Sequence, residues 1–269
     1  MVAKEDSIRF GAGATGIERL EARFRGKGPA FALHRHDTYA IGITLAGVQS
    51  FNFRGQRWHC LPGQCHVLHP DELHDGGAGT EEGFAYRIVY VDPALVQEAI
   101  GGGSLPFVPD PVVDAHRLPE RVASEIWDLE DELDDLTRTG LVVALANLLV
   151  GASPGRPRRP AAPLALDRLR RVRDLIAAAP AECHSMAELE ALSGLDRWTL
   201  ARQFRAAFGT SPSRFRTLRR LDRLRSMVRD GMGLAEASAA AGFADQSHMS
   251  RQFKRAYGLT PARWAAALA

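Results

Sequence analysis

The chain has 269 residues, 45% of them hydrophobic and 25% charged. That is the composition of a folded protein, not of a disordered or collagen-like one. Three cysteines make no disulfide framework. The most apolar stretch, residues 141–152, is interrupted by Asn147 and is too short to span a bilayer. Residues 1–6 lack the apolar core of a signal peptide, so a cytoplasmic protein without membrane association is expected. The net charge of +2 conceals a division: residues 1–163 carry 16 Lys and Arg against 22 Asp and Glu, a net −6, whereas residues 164–269 carry 18 against 10, a net +8. An acidic front and a basic rear point to nucleic acid as the partner of the second half.

Up to about residue 100 the pattern is one of strands and turns. Short β-prone runs at residues 39–45, 49–54 and 86–91 are separated by Gly47, Gly55, Pro62-Gly63 and Gly76-Gly77. Many short strands with glycine turns predict a small barrel or sandwich. The His34-Arg35-His36 spacing puts two imidazoles on one strand face, and His74 follows Pro70-Asp71-Glu72-Leu73. Small-molecule sites favour the mouths of barrels, with a few polar groups in an apolar wall. His34, His36, Tyr39, Trp58 and His74 are therefore the candidate lining of an effector pocket. The set His34, His36 and His74 is also a candidate site for a divalent metal such as zinc, iron or manganese. Ligand contact, structural packing and metal binding all stay open at this point.

This part of the chain resembles the small β-barrel of the cupin superfamily. By that resemblance His74 takes the place of the second motif's histidine, eleven residues after Gly63. The acid that normally completes the cupin ligand set is missing, because Ala40 stands at the glutamate position, seven residues before Gly47.

From Pro119 the period changes. Val122, Ile126, Leu129, Leu133 and Leu136 recur at alternating steps of four and three with acids between them, which predicts a helix with one apolar stripe at near-heptad spacing. The stripe is a candidate homodimer contact, its alternative being packing on its own barrel. A second apolar helix is expected over 140–150. Residues 151–163, rich in Pro, Gly and Arg, read as an exposed linker. The expected organisation is a sensor domain over 1–115, a helical dimerisation segment over 116–150, the linker, and an all-helical domain over 164–269.

That last domain contains one helical unit twice. Residues 200–212 (LARQFRAAFGTSP) align without a gap on 249–261 (MSRQFKRAYGLTP), an offset of 49, and residues 191–195 match 239–243 at an offset of 48. Two such copies read as two helix-turn-helix modules. Ser185 to Glu188 fits a capping box opening a helix to about Ser193, with Gly194 as its left-handed stop. Asp196 caps the next helix, in which Leu200, Phe204 and Phe208 share a face. Ser211-Pro212 opens a long helix to about Arg229, with Phe215, Leu218, Leu221, Leu224 and Met227 inward and several arginines outward. The second unit predicts helices over 234–241 and 245–257, with Gly242 between them. Left exposed are Arg197, Trp198, Ala201, Arg202 and Arg205 in the first reading helix, and Gln246, Ser247, Ser250, Arg251 and Lys254 in the second. Arginine suits guanine and glutamine suits adenine in the major groove, while lysine and the other arginines suit phosphates.

Residues 185–264 resemble the DNA-binding domain of the AraC/XylS transcription regulators. The residues that carry this are Gly194-Leu195, Leu200-x-Arg202-x-Phe204-Arg205, Gly209-x-Ser211-Pro212, Gly242-Phe243-x-Asp245-Gln246-Ser247, Ser250-Arg251-x-Phe253-Lys254 and Gly258-x-Thr260-Pro261. The resemblance implies an α+β multidomain protein: a cupin-like β-barrel with a helical dimerisation segment, then an all-α domain with two helix-turn-helix motifs entering successive major grooves, roughly 34–36 Å apart. It implies base-facing Trp198, Ala201 and Arg202 in the first unit, and Gln246, Ser247, His248 and Arg251 in the second. It also implies a small-molecule effector and, the family being mostly activators, contact with RNA polymerase. A second reading is a metal-dependent cupin enzyme fused to a DNA-binding domain, which Ala40 weakens. A third is an architectural DNA-binding protein with no effector.

Overall fold

The computed structural model describes residues 6–114, 129, 133–153 and 163–268. Ten strands fill most of the first half: β1 (Ser7–Phe10), β2 (Ile17–Phe24), β3 (Gly28–His34), β4 (Tyr39–Gly47), β5 (Gln49–Phe53), β6 (Gln56–Cys60), β7 (Gln64–Leu68), β8 (His74–Ala78), β9 (Phe84–Val91) and β10 (Val112–Asp114). All pair antiparallel, in one sheet ordered β1-β2-β9-β4-β7-β10 and another ordered β3-β8-β5-β6. The expected runs at 39–45, 49–54 and 86–91 are β4, β5 and the body of β9. Between β5 and β6, Arg54 (φ 52°) and Gly55 (φ 78°) form a two-residue loop with both central residues left-handed, the turn whose twist suits a hairpin.

Strand alternation sorts the side chains of β4 and β7 between two cores. Ala40 and Leu68 face inward, where they meet Leu20, Phe51 and Ile88 from both sheets. Tyr39, Ile41, Cys65 and Val67 face outward and are covered by α1 (Pro93–Ala99) and α2 (Asp135–Gly151), through Val96, Leu141, Leu145 and Leu149. Asp134 caps α2 by accepting the Thr137 N–H, so this helix starts five residues before the expected one. Of the near-heptad stripe, Val122 and Ile126 lie outside the described residues. Leu129 is buried against Gly11, and Leu133 packs on the α2 cluster. Those two contact their own barrel. Leu136 is 81% exposed, as are Val143 and Val150 in part, one every seven residues along α2. Of the expected linker, residues 154–162 also lie outside the described residues.

The second half is helical: α3 (Leu166–Ala178), α4 (Met186–Ser193), α5 (Arg197–Phe208), α6 (Pro212–Arg229), α7 (Leu234–Ala240), α8 (Gln246–Tyr257) and α9 (Pro261–Ala266). The cap residues set these ends. Ser185 and Glu188 form the reciprocal capping box, Asp196 accepts the Trp198 and Thr199 N–H groups, and Ser211, Asp245 and Thr260 cap in the same way. Helix α7 ends one residue earlier than expected, with Ala241 as its cap. Leu200, Phe204, Phe208 and Phe215 join Leu169, Val172 and Ile176 of α3 in one core. Met249, Phe253, Leu221 and Leu224 form the second unit's core, which is continuous with the barrel interior.

Phe204 is fully buried, its ring 4.7 Å from Phe208 and 5.9 Å from Phe215. Phe204→Ala should destabilise the helical domain by about 3–5 kcal/mol, read as a lower urea midpoint at unchanged slope.

Candidate ligand cavity and nucleic-acid interface

The two reading helices present different chemistry. On α5, Trp198 is 75% exposed, Arg202 is exposed and donates to Thr199 Oγ1 at 3.2 Å, and Ala201 is half-buried. Arg197 leans on Glu190 through its backbone N–H (2.7 Å) and its guanidinium (3.3 Å), which ties the reading helix to α4. On α8, Gln246, Ser247, Arg251 and Lys254 are exposed and Ser250 is half-buried. Arg251 and Lys254 have no hydrogen-bond or ion-pair partner among the described residues. His248 packs edge-on against Phe243, with ring centroids 6.0 Å apart, and shares a hydrogen bond with Gln252.

Arg205, expected on the DNA face, points to the barrel instead. Its Nη1 lies 2.9 Å from Asp71 Oδ2. The Asp71 side chain is only 3% exposed, and its carboxylate also faces Arg214 Nε at 3.1 Å and Arg35 at 3.6 Å. Further ion pairs cross between the halves: Asp37 with Arg219 (2.9 Å), Glu18 with Arg225 (2.8 Å) and Asp6 with Arg263 (2.9 Å). Three backbone hydrogen bonds add to them, with Ala32, Arg35 and Ile8 N–H donating to the carbonyls of Gly258, Arg255 and Ala267 at 2.7–3.1 Å.

The duplication makes Gly209 and Gly258 equivalent, and both touch the barrel. Each closes its reading helix in the left-handed conformation, with φ of 74° and 71°, where glycine costs least. A Cβ at Gly209 would run into Pro70, and one at Gly258 would sit 2.8 Å from Ala32 O and His34 Nδ1. The barrel therefore seats the two units by the same turn.

A cavity of about 260 Å³ lies where the halves meet. His34, His36 and His74 line it as expected. Tyr39 and Trp58 do not. Tyr39 faces the outer core and donates to Pro106 O at 2.7 Å. Trp58, on β6, lies opposite Phe51 in the neighbouring strand and is half-buried. His34, His36 and His74 each place Nδ1 on a nearby carbonyl, of Ala32, Thr38 and Glu72 respectively, at 2.8–2.9 Å. The rings of His34 and His36 pack edge-on to His74, with centroids 4.2 and 4.9 Å away. Among the described residues no group of three or more His, Cys, Asp or Glu is arranged to hold a metal ion. The described geometry therefore gives the His34, His36 and His74 metal set no support, and the three rings pack on one another.

The other wall lies outside the residues that the sequence pattern singles out for the pocket. Helix α6 supplies Leu218, Arg219, Asp222 and Arg225, α8 supplies Tyr257, and α9 supplies Trp264. Arg225, on the helix expected to turn several arginines outward, is buried beneath Phe10, Tyr257 and Trp264, and its charge is matched by Glu18. The i, i+3 spacing of Asp222 with Arg219 and with Arg225 is the one sequence signal that could have marked this face. Asp71 has none, since Arg205 and Arg214 lie more than 130 residues away along the chain.

Burial pushes all the cavity imidazoles toward neutrality. His34 and His36 are driven well below the ordinary value, first by desolvation and then by the neighbouring His74. Desolvation lowers His74 to about 4 and, helped by His74, lowers His66 to about 3. Burial raises the Asp37 carboxyl to about 6 against the pull of Arg219.

Residues 15–149 match the family model of the AraC-like ligand binding domain, and residues 189–267 match that of a helix-turn-helix domain. A curated relative, the uncharacterized HTH-type transcriptional regulator YbfI of Bacillus subtilis (strain 168), is 26% identical over 231 residues, covering 84% of each chain. Among solved structures, ToxT of Vibrio cholerae O395 superposes with a TM-score of 0.66 at 10% identity, covering 94% of this chain and 98% of ToxT. Wild-type ToxT from strain SCE256 with a bound unsaturated fatty acid gives 0.67 at 13% identity, covering 94% and 96%. These likenesses show the same two-part fold. Among the described residues no helix is long and apolar enough to cross a membrane.

The imidazoles stay neutral in the folded chain, whereas unfolded ones take up protons near 6.5. Acid therefore favours the unfolded state, and stability is lost as pH falls from about 6.5 toward 4. The loss at pH 5 is on the order of 1–2 kcal/mol per histidine. Thermal midpoints between pH 7.5 and 4.5 should trace this fall, and His66→Leu should make it shallower.

Proposed function

Because this chain belongs to the family of AraC-type transcription regulators with an AraC-like ligand-binding domain, we propose that a small-molecule effector in the cavity between the halves sets how far the barrel withholds the reading helices from DNA. The observation that carries this is the placement of Arg205, a residue on the reading helix, against the buried carboxylate of Asp71. Duplex phosphates and Asp71 compete for the same guanidinium. In this reading the barrel is the sensor and residues 164–269 are the DNA-binding part. Trp198, Ala201 and Arg202 face bases in one major groove; Gln246, Ser247 and Arg251 face them in the next. Arg197, Ser250 and Lys254 position the protein on phosphates. His248, packed on Phe243, supports the second reading helix from behind.

The effector must bind one arrangement of the halves more tightly than the other. Homodimerisation through the exposed Leu136, Val143 and Val150 face of α2 would present four reading helices to repeated half-sites. Activation through RNA polymerase follows from the family resemblance alone. Neither the family models nor the relative supports the enzyme alternative.

Arg251→Ala should cost about 1–3 kcal/mol and relax preference at one base pair, measured by anisotropy on a series of single-substituted operators. Uniform weakening with a shallower salt slope would place Arg251 on phosphate instead. Asp71→Asn, assayed without effector, should tighten DNA binding roughly two- to fivefold, the value of a partly exposed ion pair. It should also steepen the salt dependence by about one phosphate contact. If affinity and slope both match the unsubstituted protein, Arg205 is not withheld by the barrel.

A further inference from the structure

Two buried polar side chains on the cavity wall have no partner. His66 on β7 is 0% exposed, and neither of its ring nitrogens has a hydrogen bond among the described residues. Gln49 on β5 is 7% exposed, and its Oε1 is likewise unpaired. Both line the cavity, from opposite sheets. The His66 ring is held in place: Gly42 leaves the room it occupies, since a Cβ there would run into it, and Phe51 and Tyr86 flank it at 5.8 and 6.2 Å. Buried polar atoms of folded proteins are nearly always paired, and each exception calls for a missing partner. A neutral imidazole offers one donor and one acceptor, and an amide oxygen offers an acceptor.

The charges of the cavity leave little for a charged ligand. Arg219 is matched by Asp37 and Asp222, and Arg225 by Glu18. Asp222 also accepts from the Tyr257 hydroxyl at 2.8 Å. Arg229, the remaining cation of the lining, is exposed at the rim and stacked on Phe10 at 4.6 Å. Burial holds the imidazoles neutral, with His66 at about 3. Much of the remaining wall is apolar and aromatic, with Phe10, Leu20, Phe31, Phe51, Ile88 and Trp264.

We infer that the cavity takes an uncharged, planar ligand carrying a hydrogen-bond donor and an acceptor on one edge, an amide, lactam or hydroxy-heterocycle, read by His66 and Gln49 and covered by Trp264 of the DNA-binding half. This rests on the cavity being the effector site and adds the class of molecule it selects. An anionic ligand would have to be desolvated with no free cation inside, which is costly, and the two other carboxylates of the lining, Asp75 and Asp92, already accept hydrogen bonds from Asn52 and from the Ala94 N–H. A planar neutral one loses little on burial and satisfies the open groups of His66 and Gln49.

The test uses four probes of one shape on the full-length protein: benzamide, benzoate, benzylammonium and toluene, titrated by calorimetry at pH 7.5. Benzamide should bind at least about tenfold more tightly than either ion. His66→Leu and Gln49→Leu should each weaken benzamide about tenfold, one hydrogen bond's worth, while leaving toluene unchanged. Both variants should melt no lower than the parent, since they remove unpaired buried polar groups. Should either fail to fold, the imidazole nitrogen shifts of His66 in the unsubstituted protein serve instead, and benzamide must move them where toluene does not. Tighter binding of benzoate, abolished by Arg229→Gln, overturns the uncharged class and leaves the cavity as effector site. Equal binding of toluene and benzamide, indifferent to His66, overturns recognition by the polar pair and also leaves the site standing. Absence of binding by all four removes both.

Discussion

A carboxylate buried among guanidinium groups fixes the attitude of the DNA-binding half. The Asp71 side chain is 3% exposed with three cations beside it, and burying a lone carboxylate would cost several kcal/mol. One of those cations, Arg35, belongs to the barrel; Arg205 and Arg214 come from the other half. The pairing is uneven in a useful way. Three positive groups share one negative one, so Arg205, the most exposed, can leave with Arg214 and Arg35 still in place. A pair at that exposure is worth little in isolation, so it suits a contact that must be broken during function.

The same constraint connects the cavity to both reading helices. The Asp71 N–H donates to His36 O at 2.7 Å, and His36 lines the cavity. His34, also in the lining, bonds through Nδ1 to Ala32 O, and the Ala32 N–H donates to Gly258 O. One histidine is thus a single link from the first unit's arginines and the other a single link from the second unit's closing turn. Because Gly209 and Gly258 are equivalent positions of a duplication, a movement of the barrel wall acts on both units at corresponding points. These chains of contacts become a coupling only if the halves have two discrete arrangements that a ligand distinguishes.

Legibility in the sequence followed the range of the interaction. Helix ends in the second half were readable almost to the residue, because Ser185, Asp196, Ser211, Asp245 and Thr260 act on N–H groups two or three positions away. Strands β4, β5 and β9, and the cavity histidines His34, His36 and His74, were readable from local pattern, whereas His66 was not. Tyr39 was misplaced for want of one fact, which face of β4 the outer helices cover. The burial of Arg225 was not legible because charge normally marks a solvated face, and here Glu18, more than 200 residues away, meets it in the interior. Nothing local encodes such pairs. Only the opposite net charges of the two halves hinted that they would bind each other as well as DNA.

That hint has an energetic consequence. The interface between the oppositely charged halves combines an apolar contact, where the second unit's core meets the barrel interior, with ion pairs and a few backbone hydrogen bonds. Its strength depends on ionic strength and on competitors for the arginines, and DNA is a polyanion that competes directly. A ligand seated between Gln49 and His66 on one side and Trp264 and Leu218 on the other touches both halves at once. Driving a two-state balance from one extreme to the other takes about 5.5 kcal/mol of differential binding. A small ligand supplies that only if most of its surface is buried in one arrangement and exposed in the other. A cavity walled by both halves meets that requirement; one enclosed wholly within the barrel would leave the ligand equally buried whether or not the reading helices were free.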